Sequence, residues 1–206
     1  MIKLATFGID VSEFQGVIDW AKVSQSGVKF AMIRASYGTS SVDPMFDENV
    51  TNASQNGVLV GAYHYCYATD TNSATAEANN FLSTIKNYKI NYPIALDIED
   101  ESQQVLSKTL VTDIALTFLT TLANANYYSM IYSDVSWFLD VLDDSKLLGF
   151  DHWVADWGSE NTYTGVTGIW QYNSSGTING INDNVDLDYG YKDFYSIIQQ
   201  KGLNNL

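Results

Sequence analysis

The sequence predicts an α/β fold: a single TIM-like barrel with a degraded last third. Three observations predict it. Apolar, strand-like runs recur about eight times along the 206 residues. Amphipathic helical patterns follow the first five runs, at a repeat of order 30 residues, the length of a strand-plus-helix unit. Acids and other polar groups stand at the far ends of the runs, where α/β barrels carry their active sites.

The first run is Thr6–Asp10, followed by a short helix around Trp20 and Val23 that stops at Gly27. Phe30–Ala35 is the second strand. The helix after it is the best signalled, with Asp43 as N-cap, Pro44 at the first helical position and Asp47 and Glu48 in the positive first turn. Phe46, Val50 and Ala53 line one of its faces, and Gly57 closes it. The third strand is Val58–Tyr63, and its helix is marked by Ala74, Ala78, Phe81, Leu82 and Ile85. Tyr92–Asp100 starts as a strand and ends in acid. A helix with Val111, Ile114, Ala115, Phe118 and Leu122 on one face follows, and then the strand Tyr128–Tyr132. Beyond it, strands at His152–Asp156, Gly168–Tyr172 and Asn184–Leu187 are joined by turn-rich segments, before a C-terminal helix at Lys192–Gln200. Alternation of strand and helix implies a parallel sheet with helices outside. The length is at the low end for an eightfold barrel. No linker or low-complexity segment divides the chain, which reads as one domain over residues 1–206.

Bulk properties exclude several functions. A formal net charge of −14 opposes binding to nucleic acid or to an anionic bilayer. No apolar run approaches a membrane span, and the N-terminal stretch Met1–Asp10 lacks the apolar core and cleavage site of a secretory leader. Cys66 is the only cysteine, and His64 and His152 are the only histidines. A zinc cluster, an intrachain disulfide and a histidine-based triad therefore have little to draw on. The acidic loop Asn182-Asp183-Asn184 lacks the glycine and terminal glutamate of an EF-hand, so no metal is expected. No glycine-rich dinucleotide turn follows the first strand, and there is no phosphate-binding loop. No cofactor is expected.

Side chains alternate along a strand. Ile94, Leu96 and Ile98 therefore share one face, and Ala95, Asp97 and Glu99 the other. A barrel supplies the enclosure for that acid face. Asp10, Arg34, Tyr132, Asp156, Trp157, Gln171, Tyr172 and Asp186 are placed at the ends of other strands, converging on one mouth. Two carboxyls in a partly dry cleft do not both ionise freely. One keeps its proton and serves as a general acid, while a charged neighbour stabilises positive charge. Glycosidic cleavage needs that division of labour. Residues two apart on a strand have β-carbons roughly 6–7 Å apart, a spacing that does not choose between retaining and inverting chemistry. Taken singly, either acid reads as an exposed strand end; the set is what carries the argument. Arg34, the only arginine, reads as an ion-pair partner of a rim carboxylate, as a substrate contact, or as both. His64 reads as a structural histidine and Cys66 as a small buried filler.

At these residues the sequence resembles the glycoside hydrolase family 25 lysozymes, the Chalaropsis-type muramidases. The resemblance runs from about Phe7 to Tyr189. It rests on Gly8-Ile9-Asp10-Val11-Ser12-Glu13-Phe14-Gln15-Gly16, Ile18-Asp19-Trp20, Phe30-Ala31-Met32-Ile33-Arg34-Ala35-Ser36-Tyr37-Gly38, Gly61-Ala62-Tyr63-His64-Tyr65, Pro93-Ile94-Ala95-Leu96-Asp97-Ile98-Glu99, Trp153-Val154-Ala155-Asp156-Trp157, Ile169-Trp170-Gln171-Tyr172 and Val185-Asp186-Leu187, in that order. The resemblance implies a (β/α)5β3 barrel and hydrolysis of the β-1,4 bond between N-acetylmuramic acid and N-acetylglucosamine in peptidoglycan. It implies Glu99 as general acid and Asp97 as its assistant, which orients the substrate 2-acetamido group or acts by its charge. Asp10 and Asp186 complete the acidic rim; Asp188, two residues on, is the alternative to Asp186. Arg34 stands where the family usually has lysine. Tyr65, Tyr132, Trp157 and Gln171 are implied to line the sugar groove. The expected partner is bacterial cell-wall peptidoglycan, met by a monomer without a wall-binding module. The expected place of action is the cell wall, reached from a phage-infected host or by secretion. A chitin-type endo-N-acetylhexosaminidase and a non-catalytic glycan-binding barrel are the alternatives.

Overall fold

A computed structural model of the chain describes residues 5–206. Residues 1–4, part of the stretch read for a leader, lie outside the described residues. Eight strands close into a barrel: β1 (Thr6–Val11), β2 (Phe30–Tyr37), β4 (Leu59–Tyr65), β5 (Ile94–Asp97), β6 (Ser129–Asp134), β7 (Asp151–Ala155), β8 (Thr167–Gly176) and β9 (Val185–Gly190), with β1 pairing both β2 and β9. A ninth strand, the two-residue β3 (Ser41–Val42), pairs only with the end of β2 and lies outside the ring. Helices α1 (Trp20–Gln25), α2 (Phe46–Gln55), α3 (Thr71–Ile85), α4 (Glu101–Gln104) and α5 (Lys108–Asn124) follow the first four barrel strands, and α6 (Phe194–Lys201) follows the last.

Two expectations are corrected here. Only a five-residue π-helical turn, Trp137–Val141, and a short 3-10 turn follow β6, where a fifth full helix was expected. The sheet is mixed: β9 runs antiparallel to both its neighbours, and the other barrel pairings are parallel. The loop 177–184 between β8 and β9 is too short for the crossover a parallel strand requires, so the chain turns back on itself. Ile178 and Ile181 of that loop are buried, and the Gly180 carbonyl accepts from the Asp19 backbone N–H at 2.9 Å.

Strand alternation sorts the core into two. Ile9, Ala31, Ile33, Val60, Ala62, Ile94, Leu96, Ile131 and Val154 face outward and pack under the helices. Phe30, Met32, Tyr63, Tyr92, Ala95, Met130, Tyr132, Trp153 and Ile169 face inward and fill the barrel. So many large rings fit because the wall gives way at glycine. A β-carbon at Gly8 would lie 2.3 Å from the Phe30 ring, and one at Gly61 would lie 2.4 Å from the Met32 sulfur and 2.6 Å from the Pro93 carbonyl. Phe30 stacks on Tyr92 at 4.5 Å, and Tyr132 and Tyr63 both pack on Trp153. The barrel is therefore a packed core and not a pore.

Asp43 is not the N-cap of α2. That helix starts three residues later, with Met45 at the cap position and no side-chain cap bond. Asp43 is instead buried, accepting from Arg34 Nε at 2.8 Å, the Glu13 backbone N–H at 3.0 Å and the Met45 backbone N–H at 2.9 Å. It ties the β1 end, the β2 end and the approach to α2 together. Removing one partner from a buried ion pair strands the other and costs about 3–5 kcal/mol. Asp43→Ala is expected to lose about that much stability in urea unfolding followed by circular dichroism; a loss under 1 kcal/mol would contradict this role.

Candidate active site

The strand ends bring the expected acids into one cleft of about 200 Å³, lined by Asp10, Ser12, Phe14, Arg34, Tyr63, Tyr65, Asp97, Glu99, Tyr132, Trp153, Gln171 and Asp186 among others. Asp10 and Asp97 lie on inward-facing positions of β1 and β5, and Glu99 lies two residues beyond the end of β5. Asp186 does not end its strand. It opens β9 opposite Asp10, and because β9 runs antiparallel, its beginning is what reaches the mouth. A larger hollow of about 560 Å³ lies at the opposite end of the barrel, around Tyr127, Tyr128, Phe150 and Lys192. Its one acid, Asp151, is held by Lys192 and the Tyr128 hydroxyl. Convergent chemistry, not size, marks the first cleft.

The acids crowd one another in a place poor in water. Burial, reinforced by Asp134, Asp186 and Asp100, pushes the Glu99 carboxyl up to about 7. Asp97 is raised first by burial and then by Glu99, with Arg34 opposing, and its Oδ1 has no hydrogen-bond partner. Asp10 is raised by burial and by Asp186 and Asp188. Burial lifts Asp186 to about 6. The cluster cannot be fully ionised at neutral pH, and Glu99 is the member that keeps a proton while still half open to solvent.

Gln171 connects the neutral groups. Its Oε1 accepts from the Tyr132 hydroxyl at 3.2 Å and from Trp157 Nε1 at 2.9 Å, and its Nε2 donates to Asp10 Oδ2 at 2.8 Å. The Tyr65 hydroxyl reaches Asp100 Oδ2 at 3.4 Å. Arg34 resolves both of its readings. Its guanidinium pairs with Glu13 and Asp43, each at 2.8 Å, and lies over the Phe14 and Tyr37 rings, yet it also lines the cleft.

Trp157 is brought less close than expected. It is 62% exposed and borders a neighbouring depression with Asp134, Val135, Ala155 and Asp156. It reaches the acid cleft only through Gln171. Asp156 turns away to cap Thr162, accepting from its backbone N–H and hydroxyl. Tyr172 stacks on Tyr189 at 4.6 Å, away from the acids. His64 is buried outside the barrel wall between Phe81 and Phe118, bonded to Ser36 Oγ at 2.8 Å and Glu77 Oε2 at 2.9 Å. Cys66 is buried, and burial pushes its thiol well up, away from nucleophilic use.

Sequence reasoning missed Asp134, the acid at the end of β6 that bears on Glu99, and the cleft-lining Phe14. Asp134 was legible as the residue two beyond Tyr132 on the same strand face. Phe14, 71% exposed, stands in the Gly8–Gly16 stretch that carries the resemblance, but only the turn after β1 places it beside Arg34.

Comparison with known proteins places the chain in a family. The profile of Glycosyl hydrolases family 25 matches residues 9–181, a span that includes Asp10, Asp97 and Glu99 but not Asp186 and Asp188. Lysozyme M1 of Streptomyces globisporus is 32% identical over 195 residues, covering 87% of this chain and 65% of that protein. The autolytic lysozyme of Clostridium acetobutylicum is 29% identical over 182 residues, 88% of this chain and 54% of its own length. The chain thus spans less than two thirds of these relatives. The crystal structure of the bacterial lysozyme from Streptomyces coelicolor matches with a TM-score of 0.81 at 29% identity, over 98% of both chains. The modular autolysin LytC of Streptococcus pneumoniae, solved in complex with a synthetic peptidoglycan ligand, matches with a TM-score of 0.79 at 28% identity, over 91% of this chain and 47% of that one. By profile, by sequence and by its acid-mouthed barrel, the chain belongs to glycosyl hydrolase family 25.

Proposed function

We propose that this chain is a peptidoglycan hydrolase, an N-acetylmuramidase that cleaves the β-1,4 bond between N-acetylmuramic acid and N-acetylglucosamine in the bacterial cell wall. Residues 1–206 act as one catalytic unit, as a monomer. The observation that carries the reading is Glu99, a half-open carboxyl pushed to about 7 among buried acids at the mouth of the barrel. At neutral pH a large fraction of it carries the proton the leaving oxygen needs. The relatives named lysozyme and the autolysin solved with a peptidoglycan ligand support the choice of substrate.

In this mechanism Glu99 donates its proton to the glycosidic oxygen as the bond to the anomeric carbon breaks. Positive charge then builds on the sugar ring above Asp97, Asp10 and Asp186. Asp97 orients the 2-acetamido group for internal attack or stabilises the ring directly, and water then adds to the anomeric carbon, giving a proton back to Glu99. Gln171, steadied by Tyr132 and Trp157, fixes Asp10. The Arg34 guanidinium is already neutralised by two carboxylates, so its part is to hold the Phe14 side of the cleft and to offer its remaining N–H groups to sugar oxygens. Tyr65 flanks the opening beside Tyr67.

Glu99→Gln is expected to lower wall lysis by about 10²–10⁴-fold, with the circular dichroism spectrum unchanged; near-normal lysis would remove Glu99 from the acid role. Mass spectrometry of released muropeptides is expected to show new reducing ends on N-acetylmuramic acid. Reducing ends on N-acetylglucosamine would point to a chitin-type specificity, and binding without new ends to a glycan-binding barrel. The wild-type rate constant is expected to fall as pH rises through about 7, where Glu99 loses its proton.

The same group sets a stability trend. Its folded-state pKa lies above its unfolded value, so the unfolded chain gives up the proton first, and stability drops as pH rises from the ordinary carboxylate range to about 7. Glu99→Gln escapes that loss. Its melting temperature is expected to match wild type at pH 4 and to exceed it by roughly 2–6 °C at pH 8. Equal melting at both pH values would contradict the buried-acid reading. With a net charge of −14 facing an anionic wall, lysis is also expected to rise with moderate salt as repulsion is screened. A monotonic fall from low ionic strength upward would refute it.

A further inference from the structure

Beneath the cleft lies a carboxyl that the mechanism above does not use. Asp188 sits on β9 two residues past Asp186 and on the same inward face, fully buried. Its Oδ1 accepts from Trp153 Nε1 at 2.8 Å, while its Oδ2 is buried with no donor. What faces it is another acid: β9 pairs with β1 so that Asp186 stands opposite Asp10 and Asp188 opposite Gly8, which makes Asp10 and Asp188 diagonal neighbours on the inward face. Two carboxyl oxygens in contact away from water repel unless a proton lies between them.

The hydrogen-bond network restricts where that proton sits. Gln171 Oε1 already takes two donors, Tyr132 and Trp157, so the Gln171 amide has one sensible orientation, with its NH2 toward Asp10 Oδ2. Accepting that N–H makes Oδ2 the poorer site for the proton. Trp153 likewise makes Asp188 Oδ1 an acceptor. Asp186, the other carboxyl beside Asp10, is partly open to water and free to ionise, which leaves the remaining Asp10 oxygen and Asp188 Oδ2. The other titratable groups that bear on Asp188 are Asp186 and, more weakly, the Tyr92 and Tyr172 phenols. None of them supplies positive charge.

We propose that Asp188 is a positioning residue for the reaction: it shares a retained proton with Asp10, and this shared proton locks Asp10 into the orientation in which it faces the sugar. The string Trp153–Asp188–Asp10–Gln171 then runs from the barrel core to the rim at Trp157 and holds the Asp10 carboxyl from two sides. Burial lifts Asp188 to about 8, in keeping with a proton held at neutral pH. The inference rests on the glycosidase reading for the part Asp10 plays, but the proton itself does not.

Asn at position 188 keeps the acceptor for Trp153 and turns an N–H toward Asp10, whereas Ala keeps neither. Asp188→Asn is expected to retain kcat within threefold of wild type. Asp188→Ala is expected to lose at least tenfold in kcat, with KM within twofold. A purely structural role would lower the melting temperature of Asp188→Ala and leave kcat of the folded enzyme unchanged, which would overturn the proposal. So would an Asn variant as slow as the Ala variant, since that would show a need for charge and not for a donor. Should Asp188→Ala not fold, infrared difference spectroscopy of wild type against Asp188→Asn at pH 7 decides. Loss of one protonated-carboxyl C=O band in the variant is expected, and an unchanged band would refute the shared proton. If wild type shows that band but does not cleave peptidoglycan, the functional reading fails and the proton assignment stands.

Discussion

Crowding carboxyls into a dry barrel mouth without enough cations to neutralise them is the constraint on which this molecule turns. The chain holds 24 acidic residues and a single arginine. That arginine is engaged by Glu13 and Asp43 before it reaches the central acids. Asp10, Asp97, Glu99, Asp186 and Asp188 must therefore be relieved by neutral donors and by retained protons. Gln171 and Trp153 supply the donors. The protons that remain are the chemically useful feature, because an acid that stays protonated at neutral pH is a group able to give its proton away.

The barrel interior sustains that constraint. Phe30, Tyr92, Met130 and Trp153 fill the space under the acids, and the glycines at positions 8 and 61 make room for them. A floor of rings and sulfur offers little to solvate charge, so each carboxyl above it is shifted by its surroundings more than by any one partner. The helices add their share from outside. His64, pinned between α3 and α5 by Glu77, closes the gap behind β4 with a neutral imidazole, its pKa lowered by burial. Stability and chemistry pull in opposite directions at the mouth, and the aromatic core offsets what the acids cost.

Much of this was legible in the sequence because it depends on local periodicity. The alternation of Ile94, Leu96 and Ile98 against Ala95, Asp97 and Glu99 correctly separates outer core from inner face, and the strand ends locate the cleft. The errors have a common origin in long-range geometry. Asp43 has every local mark of a helix cap, but the ion pair with Arg34, nine residues away, takes its side chain. The short link before β9 is the one local sign that this strand runs antiparallel; with strand–helix alternation extended to it as a parallel strand, Asp186 falls at the correct rim but at the wrong end of its strand. Asp188 was weighed against Asp186 as if one must be chosen. In the fold both point inward, one at the surface of the acid cluster and one below it. Trp157 sits in a motif with Asp156, yet after β7 the chain turns outward and leaves its ring at the edge.

The pairing of β1 with β9 joins the first and last strands of the barrel, with Asp10 directly across from Asp186. Contacts that distant along the chain form late, because the loop entropy they require is unfavourable until the rest has collapsed. A chain that stops short of β9 therefore has an open sheet edge and lacks Asp186 and Asp188. Closing the barrel and completing the acid cluster are therefore one and the same event.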